Sequence, residues 1–162
     1  ACDDPVIFFE PKRRYWDKAE VDTAATPDPL WSARVARAGS DATVITYGPS
    51  VRTCLEAAAA AAEEGREIEV VDLRALSPID WDTVFASVRK TGHAVVVAEA
   101  PVFVSLAAEV AARVTEHCFY SLESPVLRVG GYSTPYPAAR VEEDFLPDLD
   151  RVLDAVDRTM DF

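Results

Sequence analysis

The stretch Val88-Arg-Lys-Thr-Gly-His-Ala-Val-Val-Val-Ala98 decides the fold. Its second half, Ala94-Val-Val-Val-Ala98, is the most apolar run in the chain. A run that is apolar on both faces suits a central strand of a parallel sheet, because such a sheet is covered on both sides. Its first half closes a helix. Trp81, Val84, Phe85 and Val88 recur on one helical face, Asp80 stands where an N-cap is needed, and Thr91-Gly92 ends the pattern. A helix followed by a buried strand predicts a repeating βα arrangement.

The same alternation extends in both directions. Ala42-Thr-Val-Ile-Thr-Tyr47 reads as a strand, and Gly48-Pro49 turns it into a helix with Val51, Cys54, Leu55, Ala58 and Ala62 at helical spacing. Gly65 is a plausible stop for that helix. Ile68-Glu-Val-Val-Asp-Leu73 is a second strand, and Ser77-Pro78 breaks the chain after it. A helix is expected from about Ser105 to His117, then a strand Pro125-Val-Leu-Arg-Val129 stopped by Gly130-Gly131. Last comes a helix capped by Asp148, with Leu149, Val152, Leu153, Val156 and Met160 on one stripe. Strands alternating with helices through short loops call for an α/β fold with a parallel sheet covered on both faces. Residues 1–40 are expected to be an irregular interdomain or linker segment packed on a domain spanning 41–162. Pro5, Pro11, Pro27 and Pro29 punctuate that segment, and only Val6-Ile-Phe-Phe9 looks like a buried strand.

Size and charge narrow the function. The chain has 162 residues, enough for one domain with a substantial core. Sixteen basic residues against 28 acidic ones leave a net charge of −12. That balance argues against nucleic acid and against an anionic membrane surface as partners. No apolar run is long enough to span a membrane, and no apolar signal core opens the chain. The chain does not begin with Met, so it is expected to be processed, cut or engineered. Cys2, Cys54 and Cys118 are odd in number and far apart, which fits scattered free thiols in a reducing, cytoplasmic setting.

No complete active site is readable. There is no G-x-G-x-x-G, no P-loop and no G-x-S-x-G elbow. His93 and His117, the only two histidines, lack cysteine or carboxylate at metal-ligand spacing. The expectation is therefore no catalytic, cofactor-binding or metal-ligating residue in this chain. Glu99 follows the central strand, at the end of a sheet where ligands bind in open α/β folds. It is a candidate functional carboxylate or a loop hydrogen-bonding group.

Two charged segments stand out. Lys12-Arg13-Arg14 and Lys18, interleaved with Tyr15 and Trp16, form a basic patch that suits carboxylates of a partner, or is simply solvated. Residues 140–162 hold eight acidic residues against three basic ones. Asp150, Asp154, Asp157 and Asp161 fall on one helix face, away from the apolar stripe, and Phe162 adds a carboxylate if it ends the chain. This is a solvated face or a docking surface for a basic partner.

Five strings in order now carry a resemblance. Phe9-Glu-Pro-Lys-Arg13 with Tyr15 resembles the segment linking the two domains of beta subunits in thiamine-diphosphate-dependent 2-oxo acid dehydrogenases. Val71-Asp-Leu-Arg-Ala-Leu-Ser-Pro-Ile-Asp80 is similar to that family's V-D-L-R-T-L-x-P-x-D. Val88-Arg-Lys-Thr-Gly92, with Val95-Val-Val-Ala-Glu-Ala100, looks like its S-V-x-K-T-G and V-V-V-H-E-A strings. Thr134-Pro-Tyr-Pro137 and Leu146-Pro-Asp148 match its later markers. Glu116-His-Cys-Phe-Tyr120, Leu122-Glu123 and Pro125-Val126 look closest to the branched-chain type. Ala98 replaces a histidine common in the family, and Val102-Phe-Val-Ser-Leu-Ala-Ala-Glu109 replaces a glycine-rich loop.

The resemblance implies a three-layer α/β/α domain with a mostly parallel five-stranded sheet, like the C-terminal domain of transketolase. It implies the C-terminal domain of the beta subunit of an oxidoreductase that decarboxylates a 2-oxo acid inside a multienzyme complex. Thiamine diphosphate and Mg²⁺ would be held by the alpha subunit and the other half of the beta subunit, so this chain alone is expected to bind no cofactor and to be inactive. Its partners would be the alpha subunit, a second beta subunit and the peripheral binding domain of the lipoyl acyltransferase. Docking candidates are Asp154, Asp157, Asp161 and Phe162; subunit-interface candidates are Lys12, Arg13, Arg14, Tyr15 and Glu99. The alternatives are a stand-alone α/β ligand-binding or regulatory domain, or the same domain of a pyruvate or acetoin enzyme.

Overall fold

The computed structural model describes residues 3–26 and 28–162, so Cys2 and Pro27 lie outside the described residues. Five strands form one sheet: β1 (Arg34–Arg37), β2 (Ala42–Thr46), β3 (Ile68–Asp72), β4 (Ala94–Pro101) and β5 (Leu127–Gly131). Their order is β1-β3-β2-β4-β5, with β1 antiparallel to β3 and the other pairs parallel. Five helices accompany them: α1 (Ser50–Glu63), α2 (Trp81–Thr91), α3 (Leu106–Cys118), the short α4 (Glu142–Phe145) and α5 (Leu149–Met160).

The expected three-layer α/β/α arrangement follows from which way each strand residue points. Val95 and Val97 of β4 pack with Val44 and Val70 against α1 and α5. Ala94, Val96 and Ala98 point the other way and pack with Ile45 and Val71 against α2 and α3. Every residue from Ala94 to Ala98 is fully buried, as a central strand requires. The alanine run of α1 meets Val152, Ala155 and Val156 of α5; its small side chains let the two helices approach closely.

The caps are those expected. The Asp80 carboxylate accepts the Thr83 N–H, and that of Asp148 accepts the Arg151 N–H. Gly92 ends α2 at φ 73, a conformation glycine adopts freely.

Four expectations are corrected. Val6–Phe9 is not a strand: its side chains are exposed, Phe9 to 84%, because no neighbouring strand lies beside this Pro-flanked segment. Residues 1–40, read as irregular, contain β1, whose sequence Arg-Val-Ala-Arg has too little apolar pattern to announce itself. It is fixed by pairing, with Arg34 opposite Asp72 and Arg37 Nη1 donating to the Ile68 carbonyl at 2.7 Å. Glu99 does not follow β4 but lies within it, since the strand runs on irregularly to Pro101. Gly130 and Gly131 do not stop β5; they belong to it. A Cβ at Gly131 would sit 2.4 Å from the Phe145 ring, so these glycines mark a close approach of α4 to the strand.

Candidate functional site

The order of the strands locates a crevice. From β2 the chain moves to β3 on one side, then crosses to β4 on the other, so the carboxyl ends of β2 and β4 flank the point where the winding reverses. Ligands of open α/β sheets bind at such a point. Tyr47, directly after β2, and Glu99, near the end of β4, stand there.

The basic segment reaches this edge. Arg13 Nη1 lies 3.8 Å from Glu99 Oε1. Arg14 Nη2 donates to the Pro49 carbonyl at 2.7 Å, and its other terminal nitrogen is 3.6 Å from Asp17. Asp17 in turn lies 3.3 Å from Arg52 Nη1 on α1. Burial pushes the Glu99 carboxyl above its ordinary range, Arg13 and Arg14 oppose that, and Glu142 adds to it. The Tyr47 phenol is pushed up by burial and by the Glu99 charge. Of the residues nominated from the sequence, Arg13 touches Glu99, and Arg14 is fixed close by on the Pro49 carbonyl. Lys12 and Tyr15 are not part of that contact; both are exposed, and the Tyr15 hydroxyl bonds Glu10 within its own segment. Tyr136 and its partner Glu142 belong to the same neighbourhood, since the Glu99 and Arg13 charges both act on the Tyr136 phenol.

A second surface lies on α5. Its apolar stripe is buried through Val152, Ala155 and Val156, which turns Asp150, Asp154 and Asp161 outward. Asp157 is half-buried and paired with Arg66 from the loop after α1, so it is not free in the way the helical spacing suggested. Asp154 lies 3.4 Å from Arg158. Phe162 is exposed. Between α5 and the edge strand β5 runs an open groove of about 420 Å³, lined by Asp148, Asp150 and Asp154 and by Arg128, Arg151 and Arg158. Arg151 and Arg158 entered the sequence reading only as part of the charge balance of residues 140–162, and Arg128 only as part of a strand. Arg158 could have been found four residues after Asp154, whereas Arg66 and Arg128 come from other elements.

The histidines, Cys54, Cys118 and Glu69 sit in structural surroundings. His93 Nδ1 sits 3.1 Å from Ser124 Oγ, and the His117 ring stacks on Phe85 with centroids 4.7 Å apart. Burial pushes the Cys54 thiol up to about 12 and raises that of Cys118, which suits inert thiols. Glu69, only 3% exposed, is held by Ser87 and Lys90. Among the described residues no group of three or more His, Cys, Asp or Glu converges to hold a metal, and no helix is long and apolar enough to cross a membrane.

Comparison with known proteins places these surfaces in context. Residues 32–152 match the family model described as transketolase, C-terminal domain. The beta subunit of a pyruvate dehydrogenase E1 component from Leifsonia xyli is 57% identical over 160 residues, covering 99% of this chain and 48% of that protein. A 3-methyl-2-oxobutanoate dehydrogenase subunit beta from Mycobacterium tuberculosis is 48% identical over 161 residues, covering 99% of this chain and 46% of that one. The chain therefore spans about half the length of the curated relatives it matches. Among solved structures, a split-gene transketolase described as an inactive beta4 tetramer superposes with a TM-score of 0.71 at 27% identity, over 88% of this chain and 46% of that one.

Proposed function

The chain belongs to the transketolase C-terminal domain family, and from that premise we propose that it is the C-terminal half of the beta subunit of a branched-chain 2-oxo acid dehydrogenase, in the component that decarboxylates the substrate. The observation that carries this reading is similarity over 99% of the chain to 2-oxo acid dehydrogenase beta subunits, 48% identical for a 3-methyl-2-oxobutanoate enzyme and 57% for a pyruvate enzyme. In the assembled enzyme the thiamine diphosphate and Mg²⁺ are supplied by other parts, and this chain contributes surfaces rather than reacting groups. It is inactive alone and works in a cytoplasmic multienzyme complex.

Each surface has a role in this reading. Residues before β1 lead from the other half of the subunit, and Lys12, Arg13, Arg14, Tyr15 and Glu99 lie where that half, the alpha subunit or a second beta subunit would meet the sheet. Helix α5 receives the basic peripheral binding domain of the acyltransferase through Asp154, Asp161 and Phe162. Asp157 contributes through its pair with Arg66, by holding the helix in place. Complementary charge speeds such docking and sets its register.

The experiment is decarboxylation by the complete beta subunit assembled with its alpha subunit, with 3-methyl-2-oxobutanoate and pyruvate compared. A higher kcat/KM for the branched-chain substrate is expected, and no activity above background from this chain alone. Higher kcat/KM for pyruvate would replace the substrate class. That second reading has one specific support, the pyruvate-type name of the 57% identical relative. Assembly without activity toward any 2-oxo acid would overturn the function.

A further inference from the structure

We propose that Arg74 and Asp80 form a two-point clamp that fixes residues 28–33 on the carboxyl edge of the sheet and so sets the path of the segment entering β1. The two residues belong to the string Val71–Asp80 that carries much of the family resemblance.

Arg74 is the first point. Its backbone has φ 55, a left-handed conformation that is rare and unfavourable for a side chain with a Cβ. Glycine would serve that turn better. The turn is secured by the Arg74 N–H donating to Asp72 Oδ1 at 3.0 Å. What arginine adds is its guanidinium. Nη1 donates to the Ser32 carbonyl at 3.1 Å and to the Pro29 carbonyl at 3.2 Å, and lies 3.8 Å from Asp28. One side chain thus grips three residues of the entering segment.

Asp80 is the second point. Its Oδ1 accepts the Thr83 N–H at 3.1 Å, which is all that an N-cap of α2 requires. Its Oδ2 accepts the Ala33 N–H at 3.0 Å as well as the Thr83 hydroxyl at 2.7 Å. Ala33 is the residue before β1. The cap of a helix on one face of the sheet therefore also holds the start of the edge strand.

The clamp works beside apolar packing, with Ala33 against the core and Leu30 and Trp31 beside Tyr47 and Leu76, but it supplies the directed polar contacts. Strand β1 is four residues long, and its pairing with β3 slips between Val35 and Arg37. Upstream, residues 5–26 are largely exposed; they reach the sheet domain through Arg13, Arg14 and Asp17, and Val6–Phe9 border a pocket with Tyr47, Arg74 and Leu76. The positioning of residues 28–33 stands on the bonds above. Only its consequence rests on the proposed function: if residues before β1 join two domains, the clamp fixes the angle between them.

Three variants of this 162-residue chain separate a clamp from a mere turn, read by amide hydrogen exchange. Arg74→Gly relieves the backbone and removes the guanidinium. Arg74→Met removes the guanidinium alone. Asp80→Asn keeps a good cap but leaves one side-chain oxygen in place of two. The Ser32 and Ala33 amides are expected to exchange about tenfold faster in all three, while those of β2 and β4 keep their protection. Arg74→Lys should restore part of the protection. Unchanged Ser32 and Ala33 exchange in the Gly and Met variants would overturn the clamp, as would an equal loss in β2 and β4. The exchange result does not depend on activity, so an assembled enzyme that fails to decarboxylate any 2-oxo acid would sink the function and leave the clamp standing.

Discussion

Helix α5 and the segment Lys12–Lys18 carry opposite charge, yet only the helix is anchored by a buried stripe. Val152 and Val156 are fully buried beneath α5. The basic segment buries none of its side chains and touches the sheet domain through a few polar contacts. Charges on a packed helix are presented in a fixed geometry, so a partner need not order them on binding. Charges on the segment are placed by contacts worth at most about 1 kcal/mol each. The same side-chain chemistry is therefore suited to docking in one place and to adjustable contact in the other.

The comparison breaks most completely if the helix loses its anchor. Val156→Asp puts an unpaired charge in the core under α1 and α5, and should cost more than about 3 kcal/mol, enough to leave little folded protein. Urea unfolding followed by circular dichroism reads it directly. The matching change in the segment, Trp16→Asp, should leave the unfolding midpoint within error, because Trp16 is 90% exposed.

A smaller effect is expected from Gly131→Ala. The new Cβ would press on Phe145, and overpacking of this kind costs about 1–3 kcal/mol. A loss in that range would show that α4, and with it the entry to α5, is locked onto β5. No change would mean that Phe145 swings away freely and that the helix is less rigidly placed.

The smallest effect belongs to the other region. Glu99 is half-buried and its folded carboxyl titrates above the ordinary range, chiefly through burial. A raised carboxyl favours the fold when protonated. Its favourable contribution is complete below the ordinary carboxyl value of 4.5 and is lost as pH rises through the higher folded value. Glu99→Gln should thus gain stability relative to the parent at pH 7 and gain less at pH 4. Solvent screening and the lost Arg13 contact keep the gain below about 1 kcal/mol. Urea midpoints at the two pH values test the sign.

How far the sequence could be read follows from the physics of each element. Ala94–Ala98 was legible because a strand covered on both faces is apolar throughout, and Asp80 and Asp148 because a cap lies a fixed step from the apolar stripe it serves. Strand β1 was hidden because an edge strand with arginine at each end is specified by its partner, not by its own pattern. Val6–Phe9 misled for the converse reason: four apolar residues suggest burial, but only a neighbouring strand can provide it. At the candidate sites, Arg13 and Glu99 were each nominated from the sequence as interface residues, but their contact with each other was not foreseen. The capture of Asp157 by Arg66, and the approach of Arg128 to the groove beside α5, depend on elements far apart in sequence. Helical spacing alone could not show which acids stay free.

In the proposed reading α5, rather than the basic segment, docks the acyltransferase. Calorimetric titration of the folded chain with the isolated basic binding domain tests it. Saturable binding is expected that weakens about tenfold or more between about 0.05 and about 0.3 M salt, is severely reduced by Asp154→Lys, and is unchanged by Arg13→Ala. Absence of binding at low salt, or binding that Arg13→Ala weakens while Asp154→Lys does not, would contradict it.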